Sequence, residues 1–261
     1  MSLVSFASVE KTYASRSGTP YTAVRSFDLN IAQGEFFCLL GTSGCGKTTI
    51  LNMLAGFESP SSGTLHVNGH SIDRPGADRG VVFQGNDSLY DWLTAAENVE
   101  LGLKIRGVDA VKRRETVQHY LSLVGLAQQG SKHPSELSGG MQQRIQIARA
   151  LANDPDILLM DEPFAALDSQ TRATLQAELL RIWRTTRNCV LFITHDIDEA
   201  VTLATRIGVM RAGPASTLKE IVTVDLAPED RVRTSERFMD VYRTVHALLS
   251  DEVAVAQRQA Q

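Results

Sequence analysis

The sequence predicts an α/β fold built on a parallel core sheet, and three observations predict it. Phe36-Phe37-Cys38-Leu39-Leu40, Ile157-Leu158-Leu159-Met160 and Val190-Leu191-Phe192-Ile193 are short, unbroken apolar runs. Strands buried on both faces read this way, whereas strands with one wet face alternate. Stretches with helical spacing separate the runs, the order expected of strand–helix–strand units. The first run also leads straight into a glycine-rich turn, Gly41 to Gly46, after which Thr49-Ile50-Leu51-Asn52-Met53-Leu54 opens a helix.

The remaining elements follow in chain order. Residues 3–10 and 22–31 alternate apolar and polar side chains, which predicts an antiparallel β subdomain with one face exposed. Ser15-Arg16-Ser17-Gly18-Thr19-Pro20 between them is a cluster of turn residues that suits a hairpin. Residues 94–129 carry no strand signal but show helical spacing, as at Val117, Tyr120, Leu121 and Val124. They predict a helical subdomain at about residues 86–150, inserted into one domain spanning residues 1–250. Met141 to Asn153 reads as a further helix. Residues 251–261 show no packing pattern and are expected to form a disordered tail.

Composition narrows the class. The chain has 261 residues, 43% apolar and 21% charged, as ordinary globular proteins do. A net charge of −4 supplies no basic field for nucleic acid, and Lys112-Arg113-Arg114 reads as a solvated helix face. Cys38, Cys45 and Cys189 lack metal-ligand spacing and read as reduced thiols. No charged start followed by an apolar core marks a signal peptide, and no apolar run approaches the ~18 residues of a spanning helix. Any work at a membrane is expected to go through a partner.

Gly41-Thr42-Ser43-Gly44-Cys45-Gly46-Lys47-Thr48 fits the pattern G-x-x-x-x-G-K-[ST]. Glycines let backbone N–H groups curl around phosphate oxygens, and the helix start adds its partial positive charge. Lys47 supplies a mobile charge to β- and γ-phosphates, and the Thr48 hydroxyl is a ligand for Mg2+. Asp161 and Glu162 stand at the carboxyl end of the second apolar run, the edge where open α/β sheets bind ligands. Asp161 suits Mg2+, and Glu162 suits polarisation of an attacking water. The chain reads as a P-loop NTPase.

Leu137-Ser138-Gly139-Gly140-Met141-Gln142-Gln143-Arg144 gives a second helix start with a good N-cap and exposed glycine amides. It resembles the signature motif of the ABC ATPases, in the position that family gives it. The resemblance spans roughly residues 3–248 and implies further roles. Gln84 resembles the Q-loop residue that touches Mg2+ or water, and His195 the H-loop residue on the γ-phosphate. Ala165-Ala166-Leu167-Asp168 resembles the D-loop, and Tyr13 the aromatic that stacks on adenine. The implied nucleotide contacts are Tyr13, Gly41, Ser43, Gly44, Cys45, Gly46, Lys47, Thr48, Thr49, Ser138, Gly139, Gly140 and Asp168, with ATP and Mg2+ as ligands. In this family two copies sandwich ATP head to tail, so a homodimer is implied.

Pro75-Gly76-Ala77-Asp78-Arg79-Gly80-Val81-Val82-Phe83-Gln84, Trp92-Leu93-Thr94, Glu97-Asn98-Val99, Ile182-Trp183 and Thr194-His195-Asp196-Ile197-Asp198-Glu199-Ala200 resemble ATPase subunits of taurine, alkanesulfonate and nitrate importers, the first segment most like the taurine importer. An integral membrane permease and, indirectly, a substrate-binding protein are then the implied partners, with no role for nucleic acid. The implied location is peripheral, at the cytoplasmic face of the inner membrane. Thr42 replaces a common proline, Tyr90-Asp91-Trp92 replaces a Leu-Pro-Trp-like segment, and Ala165 stands where glycine is frequent. The alternatives are an importer of nitrate or another small organic nutrient, or an ABC ATPase outside transport.

Overall fold

The computed structural model describes residues 2–14, 18–83, 89–165 and 167–259. The chain forms two compact units: residues 1–76 with 189–261, and residues 77–188. The first unit opens with β1 (Ser2–Tyr13), β2 (Tyr21–Ala32), β3 (Phe36–Leu40), α1 (Lys47–Ala55), β4 (Ser62–Val67) and β5 (His70–Ser71). The second holds β6 (Arg79–Val82), α2 (Ala95–Ile105), α3 (Ala110–Leu123), α4 (Gly139–Leu151), β7 (Ile157–Asp161) and α5 (Ser169–Thr186). The chain then returns to the first with β8 (Cys189–Thr194), α6 (Ile197–Leu203), β9 (Arg206–Met210), β10 (Leu218–Thr223) and α7 (Glu236–Gln259).

The first unit contains two kinds of sheet, as the two apolar patterns require. β1 pairs antiparallel with β2 and β4, and Tyr13 lies opposite Tyr21 where the hairpin closes. Its turn residues Ser15, Arg16 and Ser17 lie outside the described residues. β3, whose five residues are wholly buried, runs parallel to both β8 and β9. The register sets Leu40, the last residue before the glycine-rich turn, beside Thr194 and Val209. Close packing here depends on Gly208, where an added Cβ would come within 2.7 Å of Phe37 and 2.8 Å of Leu218.

In the second unit β6 and β7 run parallel, from Arg79 beside Ile157 to Val82 beside Met160. α2, α3 and α4 pack on one another. Thr94 and Glu97 cap α2 reciprocally, each side chain taking the other's backbone N–H. The fully buried Asn98 then ties down the preceding loop: it accepts from the Tyr90 N–H at 2.9 Å and donates to the carbonyls of Tyr90 and Leu93.

The expected tail is corrected by the structure, because α7 continues to Gln259. Phe238, Val245 and Glu252 are all buried, at seven-residue spacing on one helix face. The third of these is a carboxylate, which breaks the apolar pattern in the sequence. Its burial is sustained by the Ala212 N–H, which donates at 2.7 Å, and by Lys219 at 3.0 Å. Burial works against the charge, but these two partners hold the Glu252 carboxyl below its ordinary value of 4.5.

Glu252→Ala leaves the Ala212 N–H without its acceptor, while Lys219 keeps the Leu248 carbonyl and the Asp251 carboxylate, and should cost about 1–3 kcal/mol of stability. Because the native carboxyl titrates low, that difference is complete above pH 4.5 and closes as pH falls through the lowered value. Urea unfolding of both proteins across this range measures it; a difference independent of pH would contradict the assignment.

Candidate functional site

The glycine-rich turn lies in the first unit between β3 and α1. Gly44 and Gly46 adopt φ of +79° and +90°, conformations that side-chain-bearing residues reach only with strain. At Gly46 an added Cβ would also lie 2.9 Å from Val24 and 3.1 Å from the Ala23 carbonyl oxygen. Gly41 is equally confined, with Cys45 Sγ 2.7 Å and Met210 Cβ 3.0 Å from where its Cβ would stand. Cys45 is buried, and burial raises its thiol against the opposing pull of Lys47. It packs the loop from beneath as a neutral group. Ser43, Gly44 and Thr48 are exposed.

Lys47 folds back over its own loop, donating to the Gly41 carbonyl at 2.8 Å and the Thr42 carbonyl at 2.9 Å. Its ammonium is thereby held above the helix start with only 5% of the residue exposed. That start is left open. Five of the first six helices carry a side-chain cap: Thr94 on α2, Asp109 on α3, Ser138 on α4, Asp168 on α5 and Asp196 on α6. α1 begins at Gly46 with none, and its first turn has no acidic residue. Its N–H groups and partial positive charge are available to an anion.

Tyr13 lies against the same helix, its hydroxyl 3.4 Å from the Thr49 hydroxyl. It donates to Glu58 at 2.6 Å, and Lys11 stands over its ring at 5.1 Å and pairs with Glu58 at 3.2 Å. Burial and the Glu58 carboxylate raise the phenol, so it remains a neutral donor. Nothing in the sequence around Glu58 marks it, because its contact with Tyr13 spans 45 residues. His195 is exposed at the end of β8, between the buried Thr194 and the α6 cap Asp196.

The second unit carries the other candidates. Asp161 ends β7, and Glu162 follows it with φ of +43°, a conformation rare for a residue of this type. Pro163 and Phe164 behind it are buried, which fixes the strained backbone. Ser138 accepts from the Met141 N–H at 3.4 Å to begin α4, where Gly139 and Gly140 form the first turn. A Cβ on Gly140 would lie 2.9 Å from the Thr171 methyl group, so α4 and α5 meet at this glycine. Asp168 caps α5 by accepting from the Gln170 and Thr171 N–H groups at 3.1 and 3.0 Å, and the Thr171 hydroxyl together with these amides holds its carboxyl low. Gln84 and Ala166 lie outside the described residues.

A glycine-rich loop that ends a buried parallel strand, opens an uncapped helix and carries a lysine folded over it defines a phosphate-binding α/β protein. A family model described as ABC transporter matches residues 24–165, more than half of the chain. Over 237 residues the chain is 46% identical to the nitrate import ATP-binding protein NrtD of Synechococcus elongatus, covering 90% of this chain and 85% of that one. It is 48% identical over 239 residues to the bicarbonate transport ATP-binding protein CmpD of the same organism, covering 89% and 82%. A solved dimeric ATP-binding cassette in a post-hydrolysis state with ADP and Pi is 32% identical, with a TM-score of 0.72 over 86% of this chain and 100% of that one. The chain belongs to the ABC transporter family, with the ATPase fold of its ATP-binding subunits. It is an ATPase coupled to transport. No helix among the described residues is long and apolar enough to cross a membrane.

Gly46→Ala places a side chain at a left-handed φ and against Val24. It should lower stability by about 1–3 kcal/mol and weaken phosphate-loop binding together. Thermal melts with and without nucleotide test this; an unchanged melt would show that the loop tolerates another path.

Proposed function

We propose that this chain is the ATP-hydrolysing subunit of an importer for a small anion, acting as a homodimer on a separate membrane permease. The open start of α1 carries the nucleotide reading, since that helix leaves its first amides to a ligand while its neighbours use side-chain caps. On binding ATP, Lys47 exchanges the neutral Gly41 and Thr42 carbonyls for charged phosphate oxygens, a change to stronger, charge-assisted bonds. The backbone amides of Gly44 and Gly46, that of Cys45 on leaving the Thr42 carbonyl at 3.4 Å, and the first turn of α1 bind the remaining phosphate oxygens, and Tyr13 stacks on the base. The exposed Thr48 hydroxyl and half-buried Asp161 are hard oxygen donors that suit Mg2+, with Gln84 as a further ligand. When bound, Mg2+ neutralises charge on the β- and γ-phosphoryl oxygens.

Glu162 accepts hydrogen bonding from the attacking water and orients it, and His195 contacts the γ-phosphate. The strained backbone at Glu162 supports this role, because such strain persists where it aims a side chain. Ser138, Gly139 and Gly140 at the start of α4 complete the site of a second copy, with Asp168 at the same junction. Such an interface is isologous, and ATP binding closes it while hydrolysis opens it. The exposed Trp92, packed 5.1 Å from Tyr90, belongs to the surface offered to the permease.

Two observations bear on the solute. Relatives at 46% and 48% identity are named for nitrate import and bicarbonate transport, and both solutes are small oxyanions. The Pro75–Gln84 segment instead resembles the taurine importer, so a sulfonate is the second reading. The anionic class is common to both.

Glu162→Gln should bind ATP at near wild-type affinity yet lower turnover at least ~100-fold and accumulate an ATP-dependent dimer. Phosphate release and size-exclusion chromatography measure these; wild-type turnover in the variant would refute the water-orienting role. For the solute, a strain lacking this chain should lose uptake of one among nitrate, bicarbonate, taurine and a longer alkanesulfonate. Wild type should restore uptake and Glu162→Gln should not. Normal uptake of all four would exclude the small-anion reading.

A further inference from the structure

His195 occupies the exposed apex of a short connection between the buried strand β8 and the helix α6. In so short a connection the residues on either side constrain the backbone that carries the side chain. On the strand side, Thr194 is 1% exposed and held in register beside Leu40. Its hydroxyl donates to Glu199 Oε2 at 2.6 Å and accepts from the Asp196 N–H at 3.0 Å. On the helix side, Asp196 Oδ1 accepts from the Asp198 N–H at 2.8 Å and the Glu199 N–H at 3.3 Å. The bonds form a closed circuit: hydroxyl to carboxylate, around the first turn of α6, through the Asp196 cap and back to the same hydroxyl. The peptide after His195 belongs to it through the Asp196 N–H, and the residue before His195 through the Thr194 hydroxyl.

Direction is built into this circuit. The Thr194 hydroxyl gives its proton to Glu199, and its lone pairs are then turned to the Asp196 amide. At 2.6 Å this hydroxyl-to-carboxyl bond lies at the short end of the O–H···O range. Glu199 is itself only 5% exposed, and burying an acid is costly unless its bonds are well made. α6 packs against both β3 and β8. The Glu199 carboxylate, after burial itself, raises the thiol of Cys38 on β3, which places it within electrostatic reach of the strand leading into the phosphate loop.

We propose that Glu199 and Thr194 are positioning residues for His195, helping to set its direction toward the transferred phosphate by holding the residue before it and the peptide after it. The inference rests on the reading that His195 contacts the γ-phosphate. A rival explanation gives Glu199 a purely structural task, the anchoring of α6. The two differ in what they move. Loss of an anchor lowers stability and the amount of active protein. Loss of direction at a phosphate contact lowers the rate in folded, ATP-loaded enzyme, and a displacement of about 1 Å suffices for on the order of a 100-fold loss.

The test uses the full chain. ATP turnover is measured for Thr194→Val, Glu199→Ala, His195→Ala and the double variant Thr194→Val/His195→Ala, each normalised to nucleotide-binding protein by titration with a fluorescent ATP analogue. Thr194→Ser and Glu199→Gln are the conservative controls, since each keeps an atom able to make the same bond. Thr194→Val and Glu199→Ala should lower kcat by about 10- to 100-fold with KM for ATP within about twofold of wild type. The conservative variants should recover most of that loss, and the double variant should be no slower than His195→Ala alone. Wild-type kcat in Thr194→Val and Glu199→Ala, beside a slow His195→Ala, would overturn the inference alone. So would multiplying losses in the double variant, or Glu199→Gln falling as far as Glu199→Ala. A fast His195→Ala would overturn the phosphate contact of His195 and this inference with it.

Discussion

The start of α1 is built for a polyanion held by backbone, as proposed, and backbone amides serve that purpose best where no side chain has claimed them. That constraint shapes the first unit. The amides must point outward at the end of a strand, which requires the left-handed Gly44 and Gly46. The strand must be immobile, which β3 achieves by burying all five of its residues between β8 and β9. The helix must begin without a side-chain cap, forgoing stabilisation of about 1 kcal/mol that its neighbours take from Ser, Thr or Asp. Lys47 moderates the open site by bonding to two carbonyls of its own loop. The charge is therefore held in place before any phosphate arrives, and less ordering is left for binding to impose.

The second unit solves a related problem in the opposite way. α4 and α5 both begin with a capping side chain, Ser138 and Asp168, and they touch through Gly140. A cap consumes only some of the first-turn amides, so a capped start still presents donors, with the cap defining where the helix begins. The contact at Gly140 makes the two starts mechanically one piece. A shift felt at Asp168 is then felt at the glycines of α4 without any change inside either helix.

Much of this was legible in the sequence because it depends on local composition. Unbroken apolar runs gave β3, β7 and β8, and the phosphate loop declared itself through residue types at fixed spacing. What escaped was carried by polar residues spent on long-range contacts. Glu252 sits where an apolar residue would have continued the α7 stripe, so the helix looked like a tail. Asn98 reads as an ordinary polar position on α2, although it is fully buried and fastens the loop around Tyr90. Glu58 and Tyr13 are separated by 45 residues. Glu199 lies in the segment Thr194 to Ala200, yet nothing in its spacing shows that its carboxylate turns inward to Thr194. Burial of a charged group is invisible to periodicity, since the pattern treats every charge as solvated.

Glu162 has a consequence for anyone improving this protein. Its left-handed backbone stores strain on the order of 1–3 kcal/mol, released by a residue content with positive φ. Glycine and asparagine are such residues. A screen that rewards heat tolerance without asking for turnover will therefore be drawn to position 162. With Glu162 in the proposed water-orienting role, consensus or library methods that treat robustness as harmless will drift toward a durable, idle machine, and the position should be held fixed from the outset.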